Sequence, residues 1–189
     1  MITIVSGLPR SGTSMMMQML RAGGMPLLVD EQRKADDDNP LGYFEFERVK
    51  KLKTDVSWLD QAEGKAVKVI TQLLPDLPPG RDYCTIFMLR DLDEVLRSQR
   101  EMLVRRGQSG AALPDDKMRD IFSKHLERTQ GWLSAQPNFK VLNVQYAEVI
   151  RQSLDQARNV AAFLGGSLDA DKMAAAVNAQ LYRNVHNKG

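Results

Sequence analysis

The chain has 189 residues, with 26 lysines and arginines against 24 aspartates and glutamates, a formal net charge of +2. That length predicts one domain spanning 1–189, able to bury roughly 70% of its unfolded surface, and the near balance of charge excludes a generally basic surface for nucleic acid or membrane. No apolar run is long enough to cross a bilayer and no signal peptide precedes the first strand, so a soluble, cytoplasmic protein is expected.

Ile2-Thr3-Ile4-Val5 is a β-branched run that reads as a buried parallel strand, and a helix over 12–22 follows it, stopped by Gly23-Gly24. Met25 to Val29 is expected to form a short second strand, and the charged run 30–40 a loop. Gly42 to Glu47 leads into an expected helix ending near Asp55. Ala66 to Ile70 reads as another short strand, and Leu73 to Arg81 as a proline-rich connection. Tyr83 to Leu89 is the most apolar strand; it contains the single cysteine, Cys84, which rules out an intrachain disulfide and is expected to fill the core.

Arg90-Asp91 then opens a helix with Leu92, Val95, Leu96, Gln99, Met102 and Leu103 on one face, with Asp91 as its cap. Residues 105–116 read as a loop. Met118, Ile121, Phe122, His125, Leu126, Thr129, Trp132 and Leu133 carry the helical period of the next element. A strand over Phe139–Val144 and helices near 154–164 and 171–181 complete the chain. Strands alternating with helices predict an α/β fold, three-layer α/β/α around a largely parallel sheet, with ligands at the carboxyl ends of the strands. Both Arg10 and Arg90 fall at such ends.

The stretch between the first strand and helix is Gly7-Leu8-Pro9-Arg10-Ser11-Gly12-Thr13-Ser14. Glycines let the backbone wrap closely, and the amides and dipole of the helix start favour an anion. Gly7 and Gly12 have the spacing of the nucleotide-binding P-loop, but Thr13 stands where that loop has its lysine, and the only cation is Arg10. This segment resembles the 5′-phosphosulfate loop of the sulfotransferase family, Pro-[Lys/Arg]-Ser-Gly-Thr-[Thr/Ser]. The resemblance implies a P-loop-type fold and the co-substrate 3′-phosphoadenosine-5′-phosphosulfate (PAPS), bound by Pro9, Arg10, Ser11, Gly12, Thr13 and Ser14 without a metal. Arg90 to Ser98 resembles the family's 3′-phosphate element, an arginine followed eight residues later by a serine, with Leu92 where the family commonly has proline. It implies that Arg90 and Ser98 bind the same co-substrate.

Asn39-Pro40-Leu41-Gly42-Tyr43-Phe44-Glu45 is similar to the family's acceptor-side segment. It implies Glu45 as the base that takes the acceptor proton, with Glu47 as second choice; an exposed acid at a helix start is the competing reading of Glu45. The histidine that serves as base in the family's cytosolic branch has no counterpart in Lys68-Val69-Ile70-Thr71, where Lys68 is instead a candidate to face the transferring sulfonate. His125 reads as a core or helix–helix histidine. Leu181 to Asn184 and Lys188-Gly189 are weak candidates for further contact with the 3′-phosphate. The resemblance implies a small-molecule or carbohydrate hydroxyl as acceptor. A P-loop kinase and a non-catalytic nucleotide-binding module stand as rivals, the first opposed by the missing lysine at position 13.

Overall fold

A computed structural model describes residues 1–30, 32, 42–105, 107 and 113–177. Among them, four strands form one all-parallel sheet in the order β2-β1-β3-β4: β1 is Ile2–Gly7, β2 Ala66–Lys68, β3 Tyr83–Leu89 and β4 Phe139–Gln145. Parallel pairing sends every connection back across a face of the sheet, which covers both faces and explains why β1 and all but the end of β3 are buried along their length.

Alternation sorts the side chains of these strands. Ile2, Ile4, Tyr83 and Phe87 face a core that holds Trp58, Leu59, Leu74 and Leu133. Val5, Ile86 and Met88 face the opposite core, filled by Met16, Met17, Met19 and Leu20 of α1 (Thr13–Ala22), Val160 of α5 (Ser153–Phe163) and Met173 of α6 (Ala170–Ala175). The first core is roofed by 3-10 turns over Glu47–Lys51, Ser57–Ala62 and Thr71–Asp76 and by α3 (Asp115–Ser134). α2 (Leu92–Arg105) follows β3, and a short α4 (Tyr146–Arg151) follows β4. Cys84 is buried, and burial pushes its thiol pKa up, consistent with a packing role.

Four expectations are corrected. Met25–Val29 makes only a single bridge, Leu27 to Ala66, because Pro26 has no amide hydrogen with which to extend a ladder. The helix expected to end near Asp55 is a five-residue 3-10 turn; Phe44 has a positive φ of 52°, and Asp30 takes the Glu47 amide hydrogen at 2.6 Å, so the chain enters extended. The last described helix covers 170–175 and stops before 176–177, against an expected 171–181 of which 178–181 lie outside the described residues, and β2 ends at Lys68 rather than Ile70. α4 was not foreseen. Asn39 to Leu41, His186 and the candidates at 181–184 and 188–189 lie outside the described residues. Within the described residues no helix is long and apolar enough to cross a membrane.

Candidate active site

The turn between β1 and α1 carries three residues with positive φ: Gly7 (152°), Arg10 (71°) and Gly12 (99°). Glycine is required at both glycine positions. A Cβ on Gly7 would stand 2.4 Å from Ser11 Oγ and 2.7 Å from the Met88 carbonyl oxygen; one on Gly12 would stand 2.4 Å from the Tyr146 ring. The tightness of this turn folds the backbone around a cradle. α1 begins with the Met16 amide bonded to the Gly12 carbonyl at 3.1 Å, so the cradle lies at a helix start, the end of a helix that favours an anion. Ser11 is buried, and its hydroxyl has no hydrogen-bond partner among the described residues. A buried orphan hydroxyl in a glycine cradle suits an oxyanion ligand, so these residues fit the phosphosulfate end of PAPS.

Arg10, at the crest of the turn, donates from Nε to Ser98 Oγ at 2.9 Å. Ser98 is on α2 and only 2% exposed. Arg90, at the end of β3, donates from Nη1 to the Arg10 carbonyl at 3.0 Å. The two arginine-bearing strand ends therefore meet on one side of the sheet, and α2 joins them through Ser98. Arg90 Nε also pairs with Glu94 Oε2 at 2.9 Å, and both side chains are more than nine-tenths buried. Its guanidinium lies over the Tyr146 ring, 4.3 Å from the centroid. Burial, partly offset by the Arg90 charge, pushes the Tyr146 phenol above its ordinary value. Asp91 Oδ1 accepts from the amides of Asp93 (2.9 Å) and Glu94 (3.1 Å), the helix cap expected of it. A cavity of about 490 Å³ opens beside Arg90, lined in part by Gln130, Gln145 and Ala147.

On the other side of the turn, Lys68 Nζ donates to Ser14 Oγ at 2.8 Å and to the Tyr43 carbonyl. Lys68 closes β2, which pairs with β1, so the register Val5↔Lys68 delivers the ammonium to the start of α1. Glu45 is half-buried, two residues after Tyr43; its carbonyl accepts from the Asp30 amide at 2.9 Å. The Glu47 carboxylate is engaged by Lys50 at 2.7 Å, which weakens its candidacy as a base. His125 is on α3, with Nε2 at 2.7 Å from Thr71 Oγ1. Pro9 is exposed; Gly12 and Thr13 are half-buried at the mouth of the turn.

The structure thus brings Arg10, Ser11, Gly12, Ser14, Lys68, Arg90 and Ser98 into one neighbourhood. Two contributors escaped the sequence reading. Tyr43 acts through its carbonyl, which leaves no residue-type signal. Tyr146 acts through its ring; its place directly after the last parallel strand was the available clue.

The sulfotransferase domain family matches residues 2–188 of the chain. Among solved structures, the sulfotransferase domain from the curacin biosynthetic pathway aligns with a TM-score of 0.52 at 14% identity, covering 100% of this chain and 92% of that one. A sulfotransferase from Alicyclobacillus acidocaldarius gives 0.52 at 15%, covering 97% and 96%. Mouse sulfotransferase SULT7A1, solved in complex with PAP, gives 0.50 at 17%, covering 95% of this chain and 62% of that one. At these identities the likeness is one of fold. A search of curated proteins found no match.

Proposed function

The chain belongs to the sulfotransferase domain family, and from that premise we propose that it moves a sulfonate from PAPS to a hydroxyl of an acceptor, as a single catalytic domain. The observation that carries this reading is the junction of Arg10, Arg90 and Ser98, in which two strand ends and a helix converge beside one glycine cradle.

PAPS would supply the sulfonate on a good leaving group. The cradle amides, the Ser11 hydroxyl and the hydroxyls of Thr13 and Ser14 hold the 5′-phosphate. Pro9 shapes the turn. Arg90 binds the 3′-phosphate with a fixed planar donor set, and Ser98 orients Arg10 toward the leaving oxygen or adds a contact to that phosphate. In the transfer, the acceptor oxygen bonds to sulfur, its proton passes to a base, and the sulfur–oxygen bond to the 5′-phosphate breaks with its electron pair leaving on adenosine 3′,5′-bisphosphate. Arg10 and Lys68 stabilise that growing charge, an electrostatic task like that in phosphoryl transfer. Glu45 is the candidate base, worth roughly 10²–10⁴-fold if it takes the proton.

Titration calorimetry tests the donor assignment. Adenosine 3′,5′-bisphosphate should bind more tightly than AMP, and Arg90→Ala should abolish that preference. Equal binding of the two nucleotides by the native chain would remove the 3′-phosphate site. Sulfur-35 transfer that persists in Glu45→Gln would remove Glu45 from the mechanism and leave the donor site standing.

A further inference from the structure

The arginine assigned to the 3′-phosphate is already paired with an acid. Glu94 lies four residues on, in the first turn of α2, and its Oε2 accepts from Arg90 Nε at 2.9 Å. The Arg90 and Glu94 side chains are 8% and 7% exposed, so water screens neither charge well. The Glu94 amide donates to Asp91 Oδ1 at 3.1 Å, so the cap that starts α2 also fixes the root of this carboxylate. Two further contacts orient the guanidinium: Nη1 donates to the Arg10 carbonyl at 3.0 Å, and the Tyr146 ring lies across its face at 4.3 Å. The cavity of about 490 Å³ is lined by both members of the pair, so an anion that enters it meets a nearly neutral couple.

Orientation alone does not call for a glutamate. A glutamine of the same length offers Nε the same kind of oxygen. What the carboxylate adds is a negative charge beside the proposed phosphate, in surroundings where repulsion is weakly screened. That repulsion falls on a group that takes no part in bond breaking. PAPS and the bisphosphate it leaves carry the same 3′-phosphate. Affinity for it is therefore uniform through the reaction: it holds the spent nucleotide as firmly as the donor and leaves the transfer step unaided.

We propose that Glu94 is a positioning residue whose charge also tempers the 3′-phosphate site: it holds the Arg90 guanidinium in plane and keeps the site from retaining the spent nucleotide. The proposal rests on the sulfotransferase reading above. Asp91 serves as the contrast, since it lines the same cavity but is exposed.

Calorimetry on the full chain with adenosine 3′,5′-bisphosphate and AMP tests it. Glu94→Gln keeps the hydrogen bond and removes the charge. The affinity ratio of bisphosphate to AMP should rise about tenfold, through the bisphosphate alone. Altering a residue that served structure alone would weaken binding or leave it unchanged, and would not strengthen it. Asp91→Asn keeps the cap and removes a charge that water screens, so the ratio should move less than about threefold. If Glu94→Gln does not fold by itself, bisphosphate present during refolding should rescue it and AMP should not, because the 3′-phosphate supplies Arg90 with the missing anion. Three results overturn the role of Glu94 while native preference for bisphosphate keeps the donor site standing: a ratio that stays level or falls in Glu94→Gln, an equal rise in Asp91→Asn, or rescue by both nucleotides or neither. If the native chain does not prefer bisphosphate to AMP, the donor reading falls and this one falls with it.

Discussion

Arg90 carries two obligations at once. It is the proposed hydrogen-bond donor to the 3′-phosphate, and it neutralises Glu94 where both side chains are more than nine-tenths buried. Replacing it with alanine leaves a buried carboxylate unpaired, so Arg90→Ala should lose about 3–5 kcal/mol of stability in urea denaturation. The pair Arg90→Met with Glu94→Leu should recover most of that loss without recovering the preference for bisphosphate over AMP. Recovery of both would show that the arginine served packing alone. Gly12 is a second residue with a double constraint. Gly12→Ala meets the Tyr146 ring and also forces a side chain into the left-handed region. Tyr146→Ala should relieve only the first effect, leaving about 1–2 kcal/mol of strain and a weakened bisphosphate titration in the double variant.

Among the elements, the segment from Tyr43 to Ala62 shows how side chains substitute for regular structure. Asp55 joins two 3-10 turns: it accepts from Arg48 Nη2 at 2.8 Å and from the Ser57 amide at 3.1 Å. The hydrogen bond from Arg48 is the largest of the causes that lower its pKa to about 2, from an ordinary 3.8. A folded-state value below the ordinary one means the fold favours the charged form. That support is present in full above the ordinary value and disappears as pH falls through about 2. Asp55→Asn should therefore flatten the acid limb of the urea midpoint against pH; an unchanged limb would place the acid sensitivity elsewhere. The strands and long helices here were legible in the sequence, because Ile2–Val5, Tyr83–Leu89 and the stripe of α3 each repeat one periodicity many times. The candidate site was legible in residue type at Arg10, Arg90 and Ser98, which the fold brings into mutual contact. Legibility ended where backbone atoms or single local contacts decide the conformation: the Tyr43 carbonyl, the positive φ of Phe44, the missing amide hydrogen of Pro26 and the Asp30 side chain on the Glu47 amide. None of these leaves a pattern longer than a residue or two.

Across the whole molecule, the proposed ligand should couple loop, sheet and α2 into one cooperative unit. A ligand that binds only the folded state at 100 times its Kd adds about 2.7 kcal/mol, which for a chain of this length raises the Tm by about 5–10 °C. Adenosine 3′,5′-bisphosphate should produce that rise in the native chain and not in Arg90→Ala. A rise of equal size with AMP would point to a simple 5′-phosphate site.

Of the four strands, the inner strand β1 is made first, yet its neighbours arrive late: Thr3 must wait for Ala66 on one side and Cys84 on the other. A nascent chain halted before Ala66 holds β1 without either of its strand partners, its Ile2, Ile4 and Val5 side chains uncovered by the sheet and the glycine turn at its tip. Translation must pass β3 before the turn can take its shape, so the strand made first of the four is among the last to become native.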